Sequence, residues 1–480
     1  MNSILEIGKR AVLAQQRGLD ITGNNIANVN TPGYTRQEAI LTQSDPINYP
    51  NYSLGTGVMA DKVRQYREHY LDREMRGTIT RKSGYDTDTN VIQRIQTAIN
   101  EPSDYGLDSA MDSFFAAVED LNTKPEDLPN RENVLTQAKN LGSTFNTIDT
   151  KLSDLRTQMY GSLQNDVDQV NRLLGGVAEL NSAIAVSKTN HGDVSSTLLD
   201  QQNVILEELS KFGELQINRD GNGMADVTMN GMMVVSLGNP SKLKLLQDVN
   251  STTGESTISF GIVDKTDNLI GTYKPQAGEL ASLAHAYNVT LDNKDSSGGF
   301  SLRKNIDELA NAFVTKVNTI SQTGYGLDDT GVTPPGRNFF TPATSGGSIT
   351  AATFAVNPAL VNNPRDIPAS ATAGTPGNSD VMLQIGQLVN DQSFVNNQSA
   401  RAFYASSLTK IANLGADAKN NYSIAQLTQS QLVSQRESVV GVNLDEEAVS
   451  MIKFQRAFEA AARIINTTND LMGTVINLGR

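Results

Sequence analysis

The last forty residues, 441–480, constrain this chain more than any other stretch. Met451, Phe454, Phe458, Ala461, Ile465, Thr468, Met472 and Val475 recur in steps of three and four, which is a heptad seam. No proline interrupts it. Asn443 can cap the helix, and Asp445, Glu446 and Glu447 fill a first turn where the helix dipole favours negative charge. A helix of about 35 residues is about 50 Å long at 1.5 Å per residue. Such a rod cannot bury its apolar stripe against itself and needs a partner. The plain reading is a long core helix of a bundle. The opposite end of the chain suggests something more specific.

Residues 3–28 read as a second amphipathic helix. Leu5, Val12, Leu19 and Ile26 are seven apart, with Ile4, Ala11 and Gly18 beside them and Ile7, Ala14 and Ile21 widening the stripe. Ala11, Ala14 and Gly18 are small enough to admit a second helix at close range. Two heptad helices, one at each terminus, suggest a pair that meets in space and leaves the middle of the chain as an insertion. Asn24, Asn25, Asn28 and Asn30 weaken the helix, and Pro32-Gly33 stops it.

The chain has 480 residues, enough for roughly three domains. Its 52 acidic residues outnumber 39 basic ones, for a net charge of −13, which argues against a nucleic-acid binder and against a polybasic membrane patch. There is no Cys, so disulfides, thiolate metal sites and cysteine nucleophiles are excluded. No apolar run reaches transmembrane length, so no membrane anchor is expected. Glu6, Lys9, Arg10 and Arg17 interrupt the place of a signal-peptide core. The protein is therefore expected either to stay in the cytoplasm or to leave by a route that reads no cleavable signal.

Between the termini, 39–66 reads as loop and hairpin, and a helical region starts at 66–76. Residues 85–210 are helix-rich, with stops at Glu101-Pro102, Pro125 and Pro129 and a long third helix from near Arg131 to about Val186. Near Phe212 the period changes to two, and hairpins turn around Asp220-Gly221-Asn222-Gly223, continuing to about Lys274. Helix returns over 276–322, short strands and long loops over 324–379, and helix again from Asp380 into the terminal rod. The expected fold is mainly α with a β-rich insertion. The terminal helices (1–65 and 436–480) form a coiled-coil core. A helical domain follows (66–210, 276–323 and 376–435), then an outer β domain (211–275 and 324–375).

The search for chemistry fails. His69, His191 and His285 fall in no metal-ligand spacing. The Asp220 loop lacks a calcium loop's pattern, since Met224 and Ala225 stand where a ligand and glycine belong. No phosphate loop, complete dinucleotide fingerprint or nucleophile elbow occurs. No catalytic residue, metal or cofactor is expected. Three readings remain: a subunit of a helical polymer, a cytoplasmic scaffold or binding protein with a helical stalk, and an enzyme with its site in 211–379.

Two motifs weigh for the first. The run DITGNNIANVNTPGYTRQ (20–37) and the end GVNLDEEAVSMIKFQRAFEAAARIINTTNDLMGTVINL (441–478) resemble the two terminal signatures of the bacterial flagellar rod, hook and hook-associated axial proteins. The Gly33–Gln37 and Gly441–Glu447 versions, and the passage from EPSDYGLDSAMDSFF through RENVLTQAKNLGSTF, are similar to the hook-associated branch. The resemblance implies a structural, non-enzymatic subunit of the flagellum at the junction of hook and filament, outside the cell. Export would run through the flagellar type III apparatus, after a transient cytoplasmic stay. The implied partners are other copies of itself in a helical ring, the hook protein, the next hook-associated protein on the filament side, and a cytoplasmic export chaperone. The implied assembly interface is Leu5, Val12, Leu19, Ile26, Asn24, Asn25, Met451, Phe454, Phe458, Ile465, Met472 and Val475. The chaperone would bind Met451, Phe454, Phe458 and Ile465. Another hook or rod subunit is the alternative within the family.

Overall fold

A computed structural model describes residues 2–49, 52–99, 105–191, 194–249, 256–292, 299–343 and 347–478. The two ends of the chain run back along each other. Helix α1 (Asn2–Ala27) lies antiparallel to α11 (Leu444–Leu478), and α2 (His69–Ile99) lies antiparallel to α10 (Ala400–Val440). Strands β1 (Gln37–Gln43) and β4 (Val58–Gln65) connect the two layers as an antiparallel ribbon, tipped by the small hairpin of β2 (Ile47–Tyr49) and β3 (Tyr52–Leu54). The expected stop at Glu101-Pro102 lies outside the described residues; α2 itself ends at Ile99.

Between α2 and α10 the chain makes α3 (Leu107–Thr123), α4 (Leu128–His191) and α5 (Ser196–Leu209). At 64 residues, α4 is about 95 Å long. Its apolar residues Leu141, Phe145, Ile148, Leu152, Leu163, Val170 and Leu174 hold a continuous helical stripe and are buried. A helix this long is a spine on which other elements dock in sequence. β5 (Leu215–Arg219), β6 (Ala225–Met229), β7 (Met232–Ser236) and β8 (Asn239–Pro240) form one antiparallel sheet. β9 (Lys242–Val249), β10 (Ser256–Val263) and β11 (Leu269–Tyr273) form another. Both dock through asparagines that imitate a neighbouring strand. Asn181 donates to the Ala225 carbonyl and accepts from its N–H (2.9 and 2.8 Å), and Asn171 does the same for Leu243 (2.8 and 2.7 Å). The hairpin turn expected at Asp220–Gly223 joins β5 to β6, with Asp220 Oδ1 accepting from the N–H groups of Asn222 and Met224.

The short α6 (Glu279–His285) continues into a wide π-turn over Ala286–Thr290, so the first part of the helical stretch expected over 276–322 is only partly regular. α7 (Leu302–Ser321) starts on Ser301, whose hydroxyl accepts from Lys304 N. β12 (Phe340–Pro342) and β13 (Phe354–Val356) then pair, followed by α8 (Pro358–Asn362) and α9 (Asp380–Gln387). Residues 211–275 and 324–375 were expected in one outer β unit; among the described residues they share no sheet. Phe354 stacks on Phe145 of α4 (centroids 5.0 Å apart) and Phe340 sits 5.8 Å from Phe114, which binds β12–β13 to the helices. The physical reason is the aromatic cluster of Phe114, Phe145, Phe313, Phe339, Phe340 and Phe354, whose burial outweighs any edge pairing with the distant sheets. One continuous core runs from Val91 to Ala418 and includes no residue of α1 or α11.

Candidate assembly site: the terminal helix pair and the clamp at its base

α1 and α11 meet through glycine. An added Cβ at Gly18 would lie 2.6 Å from the Phe454 ring, and one at Gly8 would lie 2.8 Å from Ile465 Cγ1. The two backbones therefore approach on a strip of small residues. Gly8, Ala14, Gly18, Thr22 and Asn25 of α1 are buried, as are Glu447, Ala461 and Thr468 of α11. The heptad residues Leu5, Val12, Leu19 and Ile26 are half-buried and flank that strip, as do Met451, Phe454, Phe458, Ile465 and Met472. The expected seam does join the two helices. Its centre is occupied by small residues because close axes leave no room for Leu or Ile between them. Ala11 is only half-buried, and Gly8, which the periodicity did not single out, is at the contact.

Val475 departs from the expectation. In the register set by Gly8–Ile465 and Gly18–Phe454 it falls beyond the start of α1, and it is 50 % exposed. Exposed apolar residues also mark a second face of α11: Val449, Ile452, Ile464, Leu471 and Leu478, with Ile4 and Leu13 exposed on α1.

At the base of the pair the two terminal motifs join. Asn443 caps α11, its Oδ1 accepting from Asp445 N at 3.0 Å. Glu447 does more than favour the helix dipole. It is 2 % exposed, accepts from Arg36 Nε at 2.7 Å, and accepts from Asn25 Nδ2 at 3.0 Å. Asn25 in turn donates to the Gln37 carbonyl (2.9 Å), and its Oδ1 accepts from Gln37 N (3.1 Å) and Tyr34 hydroxyl (2.8 Å). Asn24 is exposed; its Oδ1 accepts from Asn28 Nδ2 at 2.8 Å, in the turn that ends α1. Arg36 N–H donates to the Val440 carbonyl at 3.1 Å, stitching the ribbon to the last residue of α10.

A second carboxylate anchors this clamp to the helical body. Asp200 on α5 accepts from Thr35 N (3.1 Å), Thr35 Oγ1 (2.8 Å) and Gln65 Nε2 (3.3 Å), and lies 3.7 Å from Arg67. Burial pushes the Asp200 carboxyl up, with the Thr35 bonds and the Arg67 charge offsetting only part of it. Burial, reinforced by the charges of Asp200 and Glu447, pushes the Tyr34 hydroxyl up to about 12. Burial alone would lower Arg36, but the hydrogen bond and charge of Glu447 more than offset it and hold the guanidinium charged. Asp200, Arg67 and the Arg36–Glu447 pairing were missed from sequence. The last spans 411 positions, and no local pattern marks it.

Fold and site together define a class: axial proteins whose two termini pair as antiparallel helices below a body inserted between them. Family models for the flagellar basal body rod proteins match both ends, the N-terminal model at 5–35 and the C-terminal model of the rod proteins FlgE, FlgF and FlgG at 433–478. The model of the helical domain of the flagellar hook-associated protein FlgK matches residues 92–340, more than half of the chain. The chain belongs to the flagellar hook-associated protein FlgK family. Flagellar hook-associated protein 1 of Bacillus subtilis (strain 168) is 26 % identical over 98 % of this chain and 97 % of its own length. Its counterpart in Salmonella typhimurium is 24 % identical over the full length of both. The solved flagellar hook junction protein FlgK of Burkholderia pseudomallei superposes with a TM-score of 0.62 at 15 % identity, covering 78 % of this chain and all of that one, a likeness of fold. The family is one of structural flagellar proteins rather than enzymes, and the chain is thus a component of the flagellum. Among the described residues no helix is long and apolar enough to cross a membrane.

Proposed function

We propose that this chain is the subunit that joins hook to filament, exported through the flagellar type III apparatus and assembled through its terminal helices. The observation that carries the proposal is the two-faced terminal pair. One face is closed within the chain by Gly8, Gly18, Phe454 and Ile465, while the other still presents Val449, Ile452, Ile464, Leu471 and Val475 to solvent. An exposed apolar stripe of this length needs a cover. Copies repeated along a screw axis supply one by heterologous contact, which builds a ring or a helical tube. Asn24 and the outer stripe then face neighbouring copies, and the half-buried Leu5, Val12, Leu19 and Ile26 stiffen the pair from within.

The hook protein would lie on one side of the ring and the next hook-associated protein on the other. Before export, Met451, Phe454, Phe458 and Ile465 are the chaperone's contact. The folded pair covers those same residues with α1, so chaperone and α1 compete for one face. The names of the Bacillus and Salmonella relatives support the reading.

The test is complementation of cells whose own copy of the gene is deleted, scored by electron microscopy. Wild-type chain restores filaments on hooks. The double variant I464D/L471D folds, because both side chains are exposed, yet leaves hooks bare. Full filaments on the hooks of the deletion cells, or full rescue by the double variant, would refute the proposal. For the chaperone face, a chain ending at Val440 loses chaperone binding in a pull-down; retained binding refutes that location.

A further inference from the structure

A cavity of about 720 Å³ opens between the start of α2, α5 and β5. Four guanidinium side chains line it: Arg73, Arg76, Arg81 and Arg219. Arg219 is satisfied by Gln202, Asn203 and the Gly223 carbonyl, and Arg81 by the Thr78 hydroxyl at 3.1 Å. Arg76 is different. Its Nε is buried without a hydrogen-bond partner. A buried donor left open costs free energy, more so on a charged group, and arginine cannot escape by losing its proton.

The nearby carboxylates do not answer it. Asp72 is held by Arg67 at 2.6 Å, and Glu207 by Arg436 at 2.5 Å. Glu74 and Glu214 line the cavity but make no hydrogen bond to Arg76 Nε. Burial lowers the proton affinity of Arg76; Asp72 and Glu207 pull the other way, and Arg67 and Arg73 add to the loss. A guanidinium in this state is prepared for an anion that the single chain does not supply.

We propose that the cavity receives a carboxylate side chain from a neighbouring copy of this chain in the assembled structure, paired with the under-satisfied Arg76 guanidinium that lines it. The inference rests on the assembly function proposed above. A planar guanidinium matches a carboxylate in shape and charge. The chain itself is the nearest source, with 52 acidic residues against 39 basic ones. The cavity adjoins a second one at the foot of the terminal pair, and both are lined by Asp72 and Asn203. A neighbour packed along that pair can therefore continue onto the cavity.

The test uses full-length R76M and R76K in the complementation system and as purified monomers. Removing a partly buried guanidinium whose Nε makes no hydrogen bond in its own chain, and whose burial outweighs the charges of Asp72 and Glu207, leaves the R76M monomer with a Tm equal to or above wild type. The same change leaves the neighbour's carboxylate unanswered and weakens incorporation about 30-fold or more. In assembled R76K structures, carbodiimide joins the introduced amine to a carboxylate of another copy. A lower Tm for R76M overturns the proposal, because it shows that Arg76 is satisfied within its own chain. So does wild-type incorporation of R76M, or R76K cross-links confined to one chain. Inorganic phosphate is the control for a free anion: a saturable, sub-millimolar rise in wild-type Tm that R76M lacks would assign the cavity to a small anion instead. Failure of wild-type chain to restore filaments overturns the assembly function itself, whereas wild-type rescue together with R76M rescue overturns only the cavity's role.

Discussion

Replacing Gly18 by alanine tests the register of the terminal pair. In an isolated helix the change is favourable by about 1 kcal/mol, because alanine loses less backbone entropy than glycine. Here the new methyl would sit 2.6 Å from Phe454 Cδ1 and Cε1 and 2.8 Å from Cζ. Carbon atoms pack at about 3.5–4.0 Å, so the ring or the helix axis must retreat by about 1 Å. Overpacking of that kind costs about 1–3 kcal/mol. The net effect is a loss of up to about 2 kcal/mol, or roughly a 30-fold rise in local opening. Gly23 on the same helix has nothing within 4 Å of its Cβ position, so Gly23→Ala keeps the full propensity gain. Hydrogen exchange of 2–27 and 444–478, read by mass spectrometry, should show faster exchange in G18A and slower exchange in G23A. Adding F454L to G18A should restore part of the protection, which a double-mutant cycle measures. Equal protection in G18A and G23A would show that the helices do not meet at Gly18, and the argument from small residues would fail with it.

Three further outcomes follow from the clamp, the body and the terminal rod. Glu447→Ala removes the acceptor of Arg36 Nε and one acceptor of Asn25 Nδ2, leaving Arg36 with Glu446 at 3.5 Å and Asn25 with the Gln37 carbonyl. It should cost about 1–3 kcal/mol, read as new protease cleavage around 441–447 while the body stays resistant. Asp166 on α4 has a buried Oδ2 without a partner, and burial, with the Glu279 charge adding, pushes its carboxyl from 3.8 up to about 7. The raised acid makes the folded state hold a proton that the unfolded chain releases, so stability falls as pH rises from about 4 to about 7. Asp166→Asn should flatten that part of the pH–Tm curve, and an unchanged slope would remove Asp166 as its cause. A chain ending at Val440 should keep the main thermal transition, because the continuous core stops at Ala418; loss of that transition would mean the terminal pair is part of the core.

Much of the fold was legible in local pattern. The stripe from Leu141 to Leu174 announced α4, the alternation after Phe212 announced β5 and β6, and Asp220–Gly223 announced the turn between them. The cap at Asn443 also followed from local chemistry, since it and the acidic turn after it need only their own helix. These features are set within a few residues, so a linear reading captures them. The separation of the two β stretches was not legible. It depends on whether Phe340 and Phe354 gain more from the Phe114–Phe145 cluster than from another strand, a comparison between parts far apart in the chain.

The sequence by itself determined that both ends are amphipathic helices and that each needs a partner. Tertiary structure decided which residues those partners are. Register is the sum of every contact along two helices, and it placed Gly8 and Gly18 at the contact and Val475 beyond it. It also brought Glu447 to Arg36 and Asn25, across 411 and 422 positions, and turned a dipole-favouring carboxylate into the pin of the clamp. The apolar period showed that α11 has a face to bury. Only packing showed that one face is closed inside the chain while a second remains exposed.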